Sequence, residues 1–399
     1  MTKKSIRDLA DLRGKRALIR VDFNVPMDSQ GGITNDRRIS AALPTIRYVL
    51  QQGGSAIVMS HLGRPTGDPK KDAVLKMDRI ADRLGELIGH PVNKVNNVIG
   101  PEVEGAARNL QPGQILVLEN LRFHPGEQKG DPVFARQLAG LGDIYVNDAF
   151  GTCHRADASM VAVPEAMAGK PRVVGFLVAK ELEVLGKLLA APPGPSVAIL
   201  GGAKVSDKIG FIKRLLECMD EVLIGGAMTY TLMRCQGRST GGSKVETDKL
   251  ELAGRLLETG GRKLVLPADH LVVKRLDDAA GARVVEGEIP AGWIGVDIGP
   301  KTIRDYEQRI GRAALAVWNG PMGKYEDPPY SHGSRAIAIA LADSTAVTIV
   351  GGGETADAVE EFGLAERMTH VSTGGGAFLE FVEGAQLPAL SQIEDRQSP

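Results

Sequence analysis

Short runs of aliphatic and β-branched residues alternate along this chain with longer stretches in which apolar positions recur every three or four residues. Runs of the first kind, at 16–23, 55–60, 115–118 and 144–146, read as buried strands. Stretches of the second kind, carried by Ile39, Leu43, Ile46, Val49 and Leu50 or by Met77, Ile80, Ala81, Leu84 and Ile88, read as amphipathic helices. Strand then helix, repeated, predicts parallel βα units with right-handed crossovers. The alternation resumes at 197–200, 222–224, 264–266, 315–318, 347–350 and 370–372, so the expected fold class is α/β, with parallel sheets flanked by helices. In open sheets of this kind ligands bind beyond the carboxyl ends of the strands, and the polar clusters of the chain fall there.

Between the two series lies the connector 178–195. Leu182, Leu185, Leu188 and Leu189 make it one amphipathic helix, and Pro192-Pro193-Gly194-Pro195 stops it, because proline lacks an amide hydrogen and clashes with the preceding turn. Character changes across this connector. Before it, the loops after the apolar runs carry Arg37, His61, Arg64, Arg122 and Arg155; after it, the corresponding loops carry glycine clusters with a few lysines. One half is suited to a small, highly charged anion and the other to a nucleotide lying on bare backbone, the two halves of a phosphoryl-transfer enzyme. With 399 residues there is length for two domains, each with its own core. The course of the polar tail after Gly384 is not set by any pattern.

Composition narrows the classes. Lysine plus arginine number 48 against 49 acidic residues, a net charge of −1 that gives no case for nucleic acid or a membrane surface as partner. Hydrophobic residues are 43% but aromatic ones only 4%, which suits aliphatic parallel sheets. Cys153, Cys218 and Cys235 lack C-x-x-C spacing and read as reduced thiols; with a charged amino terminus and no apolar run of membrane-spanning length, a cytoplasmic protein is expected.

In the first half, Asp36 is positioned to cap the helix that starts at Arg37. A cation in a first turn opposes the helix dipole. Pairing with Asp36 accounts for Arg38, while for Arg37 an anionic ligand at the helix start is the sharper reading. His61-Leu62-Gly63-Arg64-Pro65, Glu119-Asn120-Leu121-Arg122-Phe123 and Asn147 to Arg155 add further strand-end arginines. One surface arginine is usually only solvated, but four at successive strand ends converge on one cleft. Guanidinium forks hold phosphate and carboxylate bidentately, so the cleft suits a small acid phosphate whose hydroxyl Asp22 and Asn24 can bind.

In the second half, Gly201-Gly202-Ala203-Lys204 leads toward a helix with Lys204 and Lys208 at i,i+4 in its expected first turn. Like charges so spaced repel unless an anion lies between them. At Gly351-Gly352-Gly353-Glu354-Thr355 and Thr373-Gly374-Gly375-Gly376 a strand ends in glycines before a helix, exposing backbone amides as an anion site. The first of these fits the dinucleotide pattern G-x-G-x-x-A, yet the next strand ends in Val371-Ser372-Thr373 without the acidic residue an NAD site uses. The turn from Trp318 to Glu326 is expected to offer a flat apolar wall, with Glu326 accepting from ribose hydroxyls. Histidines show no zinc-ligand spacing, and Cys153 beside His154 is not oriented for a thiol nucleophile. An NAD(P)-dependent oxidoreductase and a nucleotide-sensing module without turnover are the rival functions.

Together V-D-F-N-V-P, S-H-L-G-R-P, E-N-L-R-F, N-D-A-F-G-T-x-H-R-A, G-G-A-K-V-S-D-K-I, W-N-G-P-M-G and S-T-G-G-G-A, in this order and up to about Glu383, make the chain similar to the phosphoglycerate kinase family. The resemblance implies two Rossmann-like domains joined by a hinge helix: 1–177 with the returning tail 384–399, the hinge 178–195, and 196–383. It implies reversible transfer from 1,3-bisphosphoglycerate to MgADP, giving 3-phosphoglycerate and MgATP, in glycolysis and by a monomer. The family's triose-phosphate site falls on Asp22, Asn24, Arg37, His61, Arg64, Arg122 and Arg155. Its nucleotide site falls on Lys204, Lys208, Gly295, Asn319, Glu326, Gly351, Gly352, Gly353, Glu354 and Thr355. Glu354, where the family usually has aspartate, is the expected contact to Mg2+ held by the nucleotide, and Lys324-Tyr325 stands where an aliphatic residue and phenylalanine are common. A loose phosphoryl-transfer transition state needs positioning and charge stabilisation rather than a base. Arg37, Lys208 and the amides of Gly375 and Gly376 are expected to supply these after hinge closure.

Overall fold

The structure is a computed structural model that describes residues 3–190 and 194–396. The chain divides into two compact units. One runs from the amino terminus through Glu183 and takes in the carboxyl-terminal segment from Gln386; the other is Val184–Ala385. The division falls inside a single helix, Phe176–Ala190, which starts two residues before the expected connector. Its expected stop at Pro192-Pro193 lies outside the described residues.

The first unit holds six strands, Arg16–Val21 (β1), Ser55–Met59 (β2), Val92–Lys94 (β3), Ile115–Val117 (β4), Ile144–Asp148 (β5) and Arg172–Val174 (β6). All pairings are parallel, in the order β3-β4-β2-β1-β5-β6. β1, β2, β4 and β5 are buried along almost their whole length, as near-continuous apolar runs require. Helices Arg37–Gln51 and Asp78–Ile88 bury Ile39, Leu43, Ile46, Ile80 and Leu84 against β-strand residues Ile19, Val21, Ala56 and Val58.

The second unit contains Ser196–Leu200 (β7), Glu221–Ile224 (β8), Leu264–Val265 (β9), Asp269–Val273 (β10), Arg283–Glu286 (β11), Ile294–Ile298 (β12), Leu315–Asn319 (β13), Val347–Gly351 (β14) and His370–Val371 (β15). Six of them form a parallel sheet ordered β15-β14-β13-β7-β8-β9. The other three, β11-β10-β12, make an antiparallel sheet that the apolar pattern does not announce. β11 is mostly exposed, so it carries no apolar run to read. Among the described residues no helix is long and apolar enough to cross a membrane.

Candidate active site

In each parallel sheet the strand order reverses between two neighbours, β1 and β5 in one and β7 and β13 in the other. At such a point the outgoing loops part and leave a crevice. Asp22 and Asn24 follow β1 at the first of these places, and Lys208 and Asn319 lie at the second.

In the first unit the loop after β1 is pinned by Phe23, whose amide donates to Ser60 Oγ at 2.9 Å, and by Asn24, whose Oδ1 accepts from the Gly63 amide at 2.8 Å. Asp22 is buried and accepts from Arg38 Nη1 at 2.5 Å. Burial works to raise its carboxyl, but Arg38, then Arg20 and the Asn24 amide, outweigh it and hold the group below the usual carboxylate range. Arg38 therefore pairs with Asp22, not with Asp36 as expected. Asp36 in turn makes no side-chain cap; it accepts from Arg83 at 2.6 Å, and Asn35 Oδ1 takes the Arg37 amide at 2.9 Å instead.

His61 is 2% exposed at the end of β2. Burial, then Arg20, with smaller effects from Arg122 and Arg155, push its pKa down to about 2 against the pull of Asp22. Arg122 donates through Nη1 to the Gly63 carbonyl at 2.7 Å, and its Nε is buried without a partner. Burial and then the charge of Arg155 lower its pKa, so the two guanidinium groups stand close enough to oppose one another. The structure thus couples Asp22, His61, Arg122 and Arg155 electrostatically. Arg37 is half-buried on the first turn of its helix, and Arg64 is exposed and makes no hydrogen bond or ion pair with the described residues. The sequence reading missed Arg20 and Glu127; a charge inside the apolar run of β1 was the available signal.

In the second unit Lys208 reaches into the fork between β7 and β13. Its Nζ donates to the Gly201 carbonyl at 2.8 Å and to the Asn319 carbonyl at 3.3 Å. Burial lowers its pKa to about 8, against Glu354 and Asp207, which raise it. Lys204 and Lys208 do not share a helical turn as expected: Lys204 is exposed on a loop, a 3-10 turn spans Ser206–Lys208, and the helix begins only at Ile209. The loop is held by Glu246, which accepts from the Val205 amide at 2.6 Å and from Ser206 Oγ at 2.5 Å and which sequence reasoning did not single out.

Beside this lysine two helices begin at glycines, Gly353–Glu361 and Gly375–Val382. A Cβ on Gly375 would lie 3.7 Å from the Gly353 amide nitrogen, so their amino termini stand next to one another. Asn319 Nδ2 donates to the Gly351 carbonyl at 2.7 Å, and the buried Thr355 accepts from the Gly320 amide at 2.6 Å, locking the end of β13 to the start of the first helix. Gly352 has φ +96°, and a side chain there would meet Asn319 Nδ2. Glu354 is exposed on that first turn. Gly295 lies on β12, and the neighbouring Val296 carbonyl accepts from Lys324 N at 2.9 Å, which brings the loop of exposed Glu326 alongside. Trp318 supplies no open wall, contrary to expectation, because it is wholly buried in the core of the sheet and donates to the Gly320 carbonyl. Cys153 is also buried, and burial pushes its thiol up to about 12, which removes it as a nucleophile at neutral pH.

The phosphoglycerate kinase family model matches residues 6–385. The chain belongs to the phosphoglycerate kinase family. The phosphoglycerate kinase of Rhodopirellula baltica is 52% identical over 398 residues, covering 99% of this chain and 100% of that one. That of Rubrobacter xylanophilus is 50% identical with full coverage of both. Among solved structures, phosphoglycerate kinase from Coxiella burnetii shares 38% identity with a TM-score of 0.85, and that from Pyrococcus horikoshii 30% with a TM-score of 0.85, each covering 98% of both chains. As a phosphoglycerate kinase family member the chain is a phosphotransferase of glycolysis, in a family that binds phosphoglycerate and ADP or ATP. The two α/β units with parallel six-stranded sheets are the fold of that family.

Proposed function

We propose that this phosphoglycerate kinase family member divides its substrates between the two crevices, the triose phosphate in the first unit and the nucleotide in the second. The single observation that carries this reading is Lys208, a half-buried cation at a β7–β13 fork, ringed by backbone carbonyls and by two glycine-headed helix starts. A lysine so placed is poorly satisfied without an anion, and a nucleotide phosphate supplies one.

In this reading Asp22 and Asn24 bind the hydroxyl of 3-phosphoglycerate, and Arg37, His61, Arg64, Arg122 and Arg155 bind its charged ends. Lys204, Lys208, Gly295, Asn319, Glu326 and Gly351 to Thr355 hold ADP or ATP. The acceptor oxygen is already ionised at neutral pH, so the residues need only align the partners and offset charge. Arg37 and Lys208 take the transferring group, with the Gly375 and Gly376 amides assisting in line. The two half-sites must come within bonding reach for transfer. We assign that movement to the helix Phe176–Ala190, because the boundary between the units falls within it.

The donor set suits a divalent cation that arrives with the nucleotide. Glu354 is one exposed carboxylate beside the amide cradle, and no group of three or more metal-ligating side chains occurs among the described residues. Mg2+ commonly uses one or two protein carboxylates together with phosphate oxygens and water, and when bound it neutralises phosphate charge. We further assign the chain to the cytoplasm and to a monomeric state.

The test is a coupled assay, run in both directions, with Arg122→Ala and Lys208→Ala. The first should raise KM for 3-phosphoglycerate in the reverse direction and leave that for ATP near normal. The second should act on kcat and the nucleotide. Interchanged effects would overturn the division of substrates.

A further inference from the structure

We propose that Arg20 is a positioning residue for His61: it fixes that histidine as the neutral tautomer with its proton on Nε2, and Ser159 and Glu127 hold Arg20 in place to do so. The functional part of this proposal rests on the reading of His61 as a ligand of the triose phosphate.

Arg20 is the penultimate residue of β1 and is completely buried, which a guanidinium tolerates only when it is hydrogen-bonded. Nε donates to Ser159 Oγ at 2.8 Å, Nη1 donates to the Val21 carbonyl, and Nη2 stands 3.2 Å from His61 Nδ1. Ser159 is fixed in turn, its hydroxyl donating to Glu127 Oε1 at 2.5 Å and its amide to Oε2 at 3.0 Å. Glu127 is itself fully buried, so the chain Glu127–Ser159–Arg20–His61 runs through the interior from one unlike charge to the edge of the crevice.

The chemistry at the end of that chain leaves one choice. A guanidinium has only donors and keeps its charge at any accessible pH, so the nitrogen facing it must be an acceptor. His61 Nδ1 is that nitrogen, and in a neutral imidazole the proton then resides on Nε2. Protonating both nitrogens would set an N–H against Arg20 Nη2. The other charges facing the ring are Asp22 from the loop after β1, Arg122 from the loop after β4 and Arg155 from the loop after β5. Three cations against one carboxylate favour the neutral ring. His61 therefore presents a fixed N–H donor to an oxygen of the bound acid, where the other tautomer would present a lone pair and repel it.

The test is NMR of the ring nitrogens of His61 in the full-length protein, the signals assigned by their loss in His61→Gln. The expected result is a single Nε2–H tautomer with no titration between about pH 5 and 8. In Arg20→Met the tautomers should mix, the ring should begin to titrate, and KM for 3-phosphoglycerate should rise about tenfold with a smaller change in kcat. Should Arg20→Met fail to fold, Ser159→Ala keeps the charge and removes the bond that aims it, and should shift the tautomer in the same direction. His61→Gln, whose amide offers a donor near the Nε2 position, should retain more substrate affinity than His61→Asn or His61→Ala. An Nδ1–H tautomer in the unaltered protein, or a tautomer indifferent to both Arg20→Met and Ser159→Ala, overturns the proposal. If all three His61 variants bind 3-phosphoglycerate normally while the ring behaves as described, the positioning by Arg20 stands and the triose-ligand role of His61 falls.

Discussion

Lys208 Nζ and the carbonyl oxygen of Gly201 are 2.8 Å apart, and this short bond ties the cation of the second unit to the end of β7 rather than to a carboxylate. A lysine whose hydrogen bonds among the described residues go to backbone carbonyls, with no carboxylate paired to it, remains available to an incoming anion. It also keeps part of the cost of burial, which is why its pKa falls to about 8.

Replacing Lys208 by alanine should leave the fold intact and lower kcat by about 10² or more, as loss of a preorganised charge at a developing anion does. The pH dependence of stability gives an independent check. Between about 8 and 10.5 the native lysine is deprotonated while the unfolded one stays protonated, so the unfolded state binds more protons and stability rises with pH. Denaturant unfolding should show the unaltered protein gaining stability relative to Lys208→Met across that window, by at most about 3 kcal/mol at 1.36 kcal/mol per pKa unit. Below pH 8 the difference should be flat. Parallel curves throughout would mean that Nζ is solvated more freely than its two carbonyl contacts imply.

Glu354 offers a different handle, because its carboxylate is exposed and its removal costs the fold little. Glu354→Gln keeps size and loses charge. Activity titrated against free Mg2+ at saturating ATP, in the direction that consumes 3-phosphoglycerate, should therefore require a several-fold higher concentration for half-maximal rate, with KM for 3-phosphoglycerate unchanged. Glu354→Asp should fall between the two. An unaltered Mg2+ curve in Glu354→Gln would remove the residue from the metal contact.

At the start of the helix Phe176–Ala190, Asp148 Oδ1 accepts from the Leu177 amide at 3.0 Å and Thr45 Oγ1 accepts from the Phe176 amide at 2.9 Å. Burial pushes the Asp148 carboxyl up to about 7, and its Oδ2 has no partner. From about pH 4 to 7 the native state therefore holds a proton that the unfolded state has lost, and stability falls as pH rises through that range. Against Asp148→Asn, which cannot ionise, the unaltered protein should lose at most about 4 kcal/mol over this interval in urea titrations. A difference that does not vary with pH would show that Asp148 ionises normally.

What the sequence disclosed, and what it hid, divides along physical lines. Periodicity found the strands at 16–23 and 197–200 and the helix from Arg37 to Gln51, because burial on one face leaves a regular trace. It missed β11, which is exposed, and misread Trp318, which the end of a buried strand conceals. The strand-end residues His61 and Arg122 were legible because their loops follow apolar runs. Their partners were not, because Arg20, Ser159 and Glu127 come from distant positions and meet only in three dimensions. The pairing of Arg38 with Asp22 in place of Asp36 is the same kind of fact: sequence proximity favoured the wrong carboxylate.

The carboxyl-terminal segment illustrates which contacts matter energetically. Lys4 and Glu394 form an ion pair at 3.0 Å, but both side chains are about a third exposed, at 32% and 31%, and such pairs contribute about 0–1 kcal/mol. Leu387, Leu390 and Ile393 on the same segment are 2%, 7% and 3% exposed, and burying each is worth about 1.5–3 kcal/mol. Even with the pairs Lys3–Asp395 and Arg396–Asp8 added, the apolar contribution exceeds the ionic one, and it is comparable with the ~5–15 kcal/mol stability of a whole domain. Deleting residues from 386 onward should therefore unfold the first unit at temperatures where the second survives, seen calorimetrically as a lost or shifted early transition. Leu390→Ala should cost about 2–4 kcal/mol, and Lys4→Ala less than about 1. If Lys4→Ala proved as damaging as Leu390→Ala, charge rather than apolar burial would be what anchors the segment.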